Sequence, residues 1–263
     1  MRIVRLSWAG VKVSGSGGTA LIDALGEVSP VEQYMGKPVK PLVPVAEPHS
    51  VDAALVTHLH PDHWDPATLT DCLVNDAPVL CPPSLVSDVE GASLRAVAMP
   101  VGKSTEVAGF TVEAVPAVGG LGEEQVSYVV SEEDHKILHC GDTLWHGYWW
   151  EIAAKGPFTM VFLPINGVMI GGSYATGIPA ALTPQQAAAA ASILKPGTVC
   201  PIHYGLFNFP PYYTEHPDAE QELLREAKDR DVSIVLMRDG ESTELGEERG
   251  KGTVTQSLGD APG

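Results

Sequence analysis

Through the first half of the chain, apolar and polar positions alternate with a period of two. Residues 2–24, RIVRLSWAGVKVSGSGGTALIDA, read as short strands joined by a Gly/Ser turn, SGSGG. Residues 25–50 are proline-rich with little periodicity, which predicts a long surface loop; loops of that length in compact domains often carry function. VDAALVTH (51–58) is a continuous apolar run and predicts a buried strand ending at a histidine cluster. PATLTDCLV (66–74) predicts a short helix and APVLCP (77–82) a strand. KSTEVAGFTVEAVPAV (103–118) predicts a hairpin, and VSYVVS (126–131) with HKILHCGD (135–142) a further strand pair.

Beyond residue 145 helix and strand periods take turns. GYWWEIAAK (147–155) predicts a short helix and FTMVFLPIN (158–166) a strand. TPQQAAAAASILK (183–195) predicts a helix with Thr183 as N-cap and Pro184 in its first position. TVCPIHYG (198–205) follows as a strand, PDAEQELLREAKDR (217–230) as a helix and VSIVLM (232–237) as a strand. The polar, Gly-rich stretch EERGKGTVTQSLGDAPG (247–263) is expected to fray. Strand-rich and helix–strand segments occur in both halves, which suits two mixed β-sheets packed face to face with helices outside. The expected organisation is one domain over residues 1–245 with a C-terminal tail from residue 246.

Composition narrows the function classes. Hydrophobic residues make up 44% of the 263 and charged residues 19%, as in an ordinary globular protein. No apolar run approaches the roughly 20 residues of a membrane span, and MRIVRLSWAGVKVSG is too short in apolar residues for a signal peptide, so a cytoplasmic location is expected. Cys72, Cys81, Cys140 and Cys200 show no CxxC spacing and are expected as reduced, partly buried thiols. The net charge of −17 and the lack of a basic stripe argue against nucleic acid and anionic membrane surfaces as partners; a small-molecule substrate is the expectation.

The candidate chemistry begins at VTHLHPDHWD (56–65). His58, His60, Asp62 and His63 fall within six positions at a strand end, enough donors to begin two adjacent metal sites. ILHCGDTLW presents Asp142 directly after an apolar strand, with Gly141 free to turn the backbone sharply, and VCPIHYG presents His203 at the end of another. Taken singly, Asp142 reads as a turn or cap residue and His203 as a satisfied strand-end histidine. With the first motif, in this order and each at a strand terminus, both become candidate ligands.

His-x-His-x-Asp-His, then Gly-Asp-Thr, then Pro-x-His resembles the signature order of the metallo-β-lactamase-fold hydrolases. GGTALIDA resembles that fold's early strand, with Asp23 in the place of its supporting aspartate. LTPQQAAAAASILKPGTVCPIHYG is similar to the branch containing the ascorbate-6-phosphate lactonase. The resemblance spans roughly residues 3 to 240 and implies an αβ/βα sandwich. It also implies His58 and His60 on a first metal, Asp62, His63 and His203 on a second, and Asp142 bridging the two. Asp62 and Asp142 would be the catalytic carboxylates.

The family also has a third first-site histidine, and Gly119 of VPAVGGLGEE stands in its place. Three arrangements answer this: a more open first site completed by Asp142 and waters, a substitute ligand from Glu123, Glu124 or His146, or a single metal at Asp62, His63, Asp142 and His203. The expectation is a one-metal or asymmetric centre holding zinc, with manganese or iron also compatible with the carboxylates.

The implied activity is hydrolysis of a small lactone, amide, ester or phosphoester by metal-activated water. The alternatives are an iron-dependent oxidoreductase of the same fold, which a glutamate replacing Gly119 in space would favour, and a non-hydrolytic small-molecule-binding protein. Trp145, His146, Asn166 and Tyr204 are candidate substrate contacts, although the aromatic cluster GDTLWHGYWW reads equally as packing. The glycines of FLPINGVMIGGSYATG lack the lysine and spacing of a phosphate loop.

Overall fold

The computed structural model describes residues 1–246; the stretch expected to fray, 247–263, lies outside the described residues. The first sheet opens with an antiparallel meander of β1 (Arg2–Arg5), β2 (Val11–Gly15) and β3 (Gly18–Ile22). It continues in parallel through β4 (Ala53–Leu55), β5 (Pro78–Cys81) and β6 (Arg95–Ala98). Between these lie α1 (Ser29–Met35), α2 (Pro66–Cys72) and α3 (Val86–Gly91). The second sheet is an antiparallel run of β7 (Ser104–Val107), β8 (Phe110–Pro116), β9 (Val126–Glu132) and β10 (His135–His139).

After α4 (Trp149–Ala153), β11 (Met160–Pro164) adds parallel to β10. β12 (Met169–Ile170) and α5 (Pro184–Leu194) precede β13 (Thr198–Ile202), which adds parallel to β11. β14 (Tyr213–Thr214) pairs with β12 outside the sandwich. α6 (Ala219–Asp229) and β15 (Ser242–Glu244) are the last elements among the described residues, β15 pairing with β1 at the edge of the first sheet.

The period of two sorts side chains between two environments. Ala20 and Ile22 of β3, Ala53 and Leu55 of β4, Phe110, Val112 and Ala114 of β8, and Met160 and Phe162 of β11 share the core between the sheets. Their strand neighbours point outward: Leu21 and Ala54 join Leu69 and Val89 of α2 and α3, while Val161 and Leu163 join Trp149, Ala187 and Leu223 of α4, α5 and α6. Three apolar layers therefore separate four layers of structure, the αβ/βα sandwich that the pattern predicts.

Two expectations about elements change. Residues 25–50 are not loop throughout: α1 forms on Pro30 in its first turn and buries Val31 and Met35, an i, i+4 pair too short to stand out as a period. VSIVLM (232–237) forms no strand; Val199 N donates to Ser233 O and Val235 N donates to Val199 O, and the contact stays an isolated bridge between Ile234 and Val199. Helix α5 matches its sequence signature in detail. Thr183 accepts from Gln186 N, and Gln186 accepts from Thr183 N in return. Among the described residues no helix is long and apolar enough to cross a membrane.

Candidate metal centre

β1, β3, β4, β8, β10, β11 and β13 run in the same sense within their sheets, and Trp8, Asp23, His58, Gly119, Asp142, Asn166 and His203 all follow their C-terminal ends. Loops leaving that end are free of ladder bonds and gather polar side chains over a rigid base. Donor atoms of His58, His63 and Asp142 come within 4.8 Å of one another, as do those of Asp62, His63 and His203, and those of His58, His60 and Glu123. The three groups overlap through His58 and His63. Asp142 stands at the join, with Oδ1 3.5 Å from His58 Nε2 and Oδ2 4.0 Å from His60 Nδ1. The six residues expected from the sequence as ligands are thus all brought together.

Asp62 Oδ2 lies 3.4 Å from His63 Nε2 and 3.3 Å from His203 Nε2. Two donors on one tetrahedral ion at about 2.1 Å stand roughly 3.4 Å apart, so these gaps suit a shared cation. The unpaired atoms agree: His63 Nε2, His203 Nε2, Asp142 Oδ1 and Glu123 Oε1 are buried with no hydrogen-bond partner. Buried polar atoms are rarely left so, and buried charges pair or coordinate a metal.

The surrounding residues hold these atoms in place. Asp23 accepts from Thr57 N and Thr57 Oγ1, at 2.8 and 2.7 Å, and from His63 Nδ1 at 2.8 Å. That fixes the His63 tautomer and leaves Nε2 for a ligand role, the support expected of Asp23. Trp8 Nε1 donates to Asp62 Oδ2 at 2.9 Å while its ring packs on His203, centroids 4.1 Å apart. Trp8, Asp23 and His203 all have positive φ, held by bonds such as His203 N to Trp8 O, so the loops carry backbone strain at the centre. Gly141 sits at φ +62°, where a Cβ would crowd Thr57 and Gln125, which explains the glycine before Asp142.

Electrostatics follow from burial and proximity. Burial pushes the His58 imidazole down to about 3, only partly offset by Asp142, so it stays neutral. Burial also lowers His63, but Asp62 and Asp23 on either side outweigh it and raise its proton affinity well above the ordinary value. Burial alone would raise the three carboxylates. The histidines prevail: His63 chiefly holds Asp23 at about 2, His63 and His203 hold Asp62 well below the usual range, and His58 leads in lowering Asp142.

The candidate substrate contacts fare differently. Tyr204, a candidate substrate contact, donates its hydroxyl to Glu220 of α6 at 3.1 Å, beneath the Arg5 guanidinium. His146 stacks on Trp149 at 4.1 Å and accepts from Tyr148 N, as packing would have it, while Trp145 is 40% exposed. Asn166 is buried and donates to the Tyr213 hydroxyl at 2.9 Å. Tyr213 is buried near Asp62 and Asp142, which add to burial in raising its hydroxyl. The sequence reading missed Tyr213 and Trp8, since a lone aromatic among apolar neighbours carries no signal that separates ligand support from core.

Comparison with known proteins identifies the family and the fold. The sequence profile described as Beta-lactamase superfamily domain matches residues 19–204. The UPF0173 metal-dependent hydrolase of Methanopyrus kandleri is 28% identical over 258 residues, covering 93% of this chain and all of that protein. Among solved structures, an isothiocyanate hydrolase from Delia radicum gut bacteria superposes with TM-score 0.70 at 18% identity, over 93% of this chain and 98% of that one. CmlA, a diiron β-hydroxylase from Streptomyces venezuelae, superposes with TM-score 0.71 at 17% identity, over 93% of this chain and 54% of that one.

Proposed function

The chain belongs to the Beta-lactamase superfamily domain family, and from that premise we propose that it is a metal-dependent hydrolase of a small, uncharged cyclic ester, amide or related acyl compound. The observation that carries the reading is the convergence of His58, Asp62, His63, Asp142 and His203 at one buried point, where His63 Nε2, His203 Nε2 and Asp142 Oδ1 have no hydrogen-bond partner. The Methanopyrus relative's description as a metal-dependent hydrolase supports it. Zinc is the first candidate ion at the Asp62, His63 and His203 group. When bound, it supplies Lewis acidity and a lowered pKa for coordinated water.

The chain's own residues do the remaining work. His58, His60, His63 and His203 would hold the ion through ring nitrogens, and Asp142 stands between the two histidine groups. Asp62, fixed by Trp8, is held too acidic to retain a proton, so it orients the attacking water by accepting hydrogen bonds. The Tyr213 hydroxyl, positioned by Asn166, is placed to donate to charge developing on the substrate.

A substrate of low charge suits a chain of net charge −17, and phosphate esters rank lower for that reason. Exposed Leu121, whose backbone N–H bonds the Glu123 carboxylate beside His60, favours an apolar substituent. A lactone is the first choice, acting in the cytoplasm.

The test is hydrolysis of a panel of lactones, esters and amides by protein stripped with chelator and then reloaded. Turnover should return with metal and stay absent in Asp142→Ala, whose metal content should fall with it. Normal turnover by that variant would overturn the reading.

A second reading, an iron-dependent oxidoreductase, is favoured by one observation: the carboxylate of Glu123 beside His58 and His60. Iron in the purified protein, with oxygen consumption and no hydrolysis across the panel, would replace the first reading by the second.

A further inference from the structure

We propose that Glu123 is the third protein ligand of the first metal site, taking the place in space that Gly119 leaves vacant, and that this gives the site a preference for manganese or iron over zinc. The inference rests on the metal-centre reading above and goes beyond it in naming a ligand and a class of ion. Glu123 Oε2 lies 3.9 Å from His60 Nε2. Its Oε1 is buried without a partner. Leu121 N donates to Oε2 at 2.9 Å, so the carboxylate is anchored by its own loop rather than swinging free.

The loop is itself fixed. Val118 N donates to Thr143 Oγ1 and Leu144 N donates to Val118 O, both at 2.9 Å, which ties residues 118–124 to the loop carrying Asp142. Gly120 lies hard against the Ala180 carbonyl, where a Cβ has no room. Gly119 faces the Glu123 side chain instead: a Cβ there would meet the Glu123 carboxylate and displace it from its present place. A side chain at 119 and the carboxylate of 123 therefore compete for one volume, and in this chain the glutamate holds it.

The other substitutes weighed from the sequence are spent elsewhere. Glu124 accepts from Ser84 N at 2.8 Å, and His146 is stacked on Trp149. His58, His60 and Glu123 make a two-imidazole, one-carboxylate face, with the Asp142 carboxylate adjacent. Oxygen donors favour manganese and iron relative to an all-imidazole site, and this face is the donor set of non-haem iron centres.

The experiment titrates metal-free protein with Mn(II) and Zn(II) by calorimetry and counts bound equivalents by elemental analysis. Wild type should take two equivalents of Mn(II), with the electron paramagnetic resonance signature of a coupled pair. Glu123→Gln should lose the first-site equivalent, its affinity falling tenfold or more, and keep the second; Glu124→Gln should keep both. Gly119→His combined with Glu123→Ala should restore two equivalents and shift the first site toward Zn(II).

Circular dichroism on each sample checks folding, and Glu123→Asp, which keeps the charge but shortens the reach, should show the same loss if Glu123→Gln does not fold. Retention of both equivalents at wild-type affinity by Glu123→Gln would overturn the assignment while leaving the metal-centre reading intact. Wild type that takes up no metal would overturn both.

Discussion

At the scale of single residues, the centre depends on side chains outside its donor set. Trp8 spends its indole N–H on Asp62 and its ring on His203, so it orients two candidate ligands at once. Trp8→Phe keeps the ring and removes only the hydrogen bond. Outer partners of ligating groups are worth 10- to 100-fold in metal affinity, so the variant should bind its second-site metal at least about tenfold more weakly, with an unchanged circular dichroism spectrum. Competition against a chromogenic chelator measures it, and wild-type affinity in the variant would reduce Trp8 to a packing residue. Of these contacts only the ligand types were legible in the sequence. His58, His60, Asp62 and His63 sit in one short motif, whereas Trp8 meets Asp62 across 54 positions, a pairing that no local pattern encodes.

At the scale of elements, α5 connects local sequence to the site. Its start is fixed by the reciprocal bonds of Thr183 and Gln186, and Leu182, just ahead of it, donates its N–H to the Thr143 carbonyl beside Asp142. The helix then buries Ala187, Ala188, Ala190 and Ala191 against the second sheet, small side chains that allow close approach. Thr183→Ala removes one half of the capping box and should cost about 1 kcal/mol. For a domain of this size that lowers the thermal midpoint by about 2–4 °C, readable by calorimetry. An unchanged midpoint would mean that packing alone fixes the helix start. The cap was legible because Thr-Pro-Gln-Gln encodes it within four residues; α1 was not, because its single buried pair is shorter than the period that would announce it.

At the scale of the whole molecule, the ligands come from both sheets. His58, His60, Asp62 and His63 follow β4 in the first, while Asp142 and His203 follow β10 and β13 in the second. A bound ion therefore joins the two halves of the sandwich, and its binding free energy becomes folding free energy. Free metal at 100 times its dissociation constant should add about 2.7 kcal/mol, so chelation should lower the thermal midpoint by several degrees. His203→Ala should shrink that shift while the metal-free protein stays folded, since Val199, Cys200 and Ile202 hold β13 in its two apolar layers. Scanning calorimetry with and without chelator checks both statements. A full metal-induced shift in the variant would remove His203 from the centre.

The sequence by itself determined the alternation that sorts each strand between the inter-sheet core and the helices, the cap of α5, and the types and order of the candidate metal ligands. Each is a local property, written in neighbouring positions by side-chain periodicity or backbone hydrogen bonding. The tertiary structure alone decided which distant groups share a volume. It set Trp8 on Asp62 and His203, turned Tyr204 away to Glu220, and brought Tyr213 to Asn166 beside the carboxylates. It also set Glu123 in the space at Gly119 while committing Glu124 to Ser84. From the sequence Glu123, Glu124 and His146 were equal candidates. Steric exclusion at Gly119 and the hydrogen bond from Leu121 separate them, and both exist only once the loop after β8 is folded against the loop after β10.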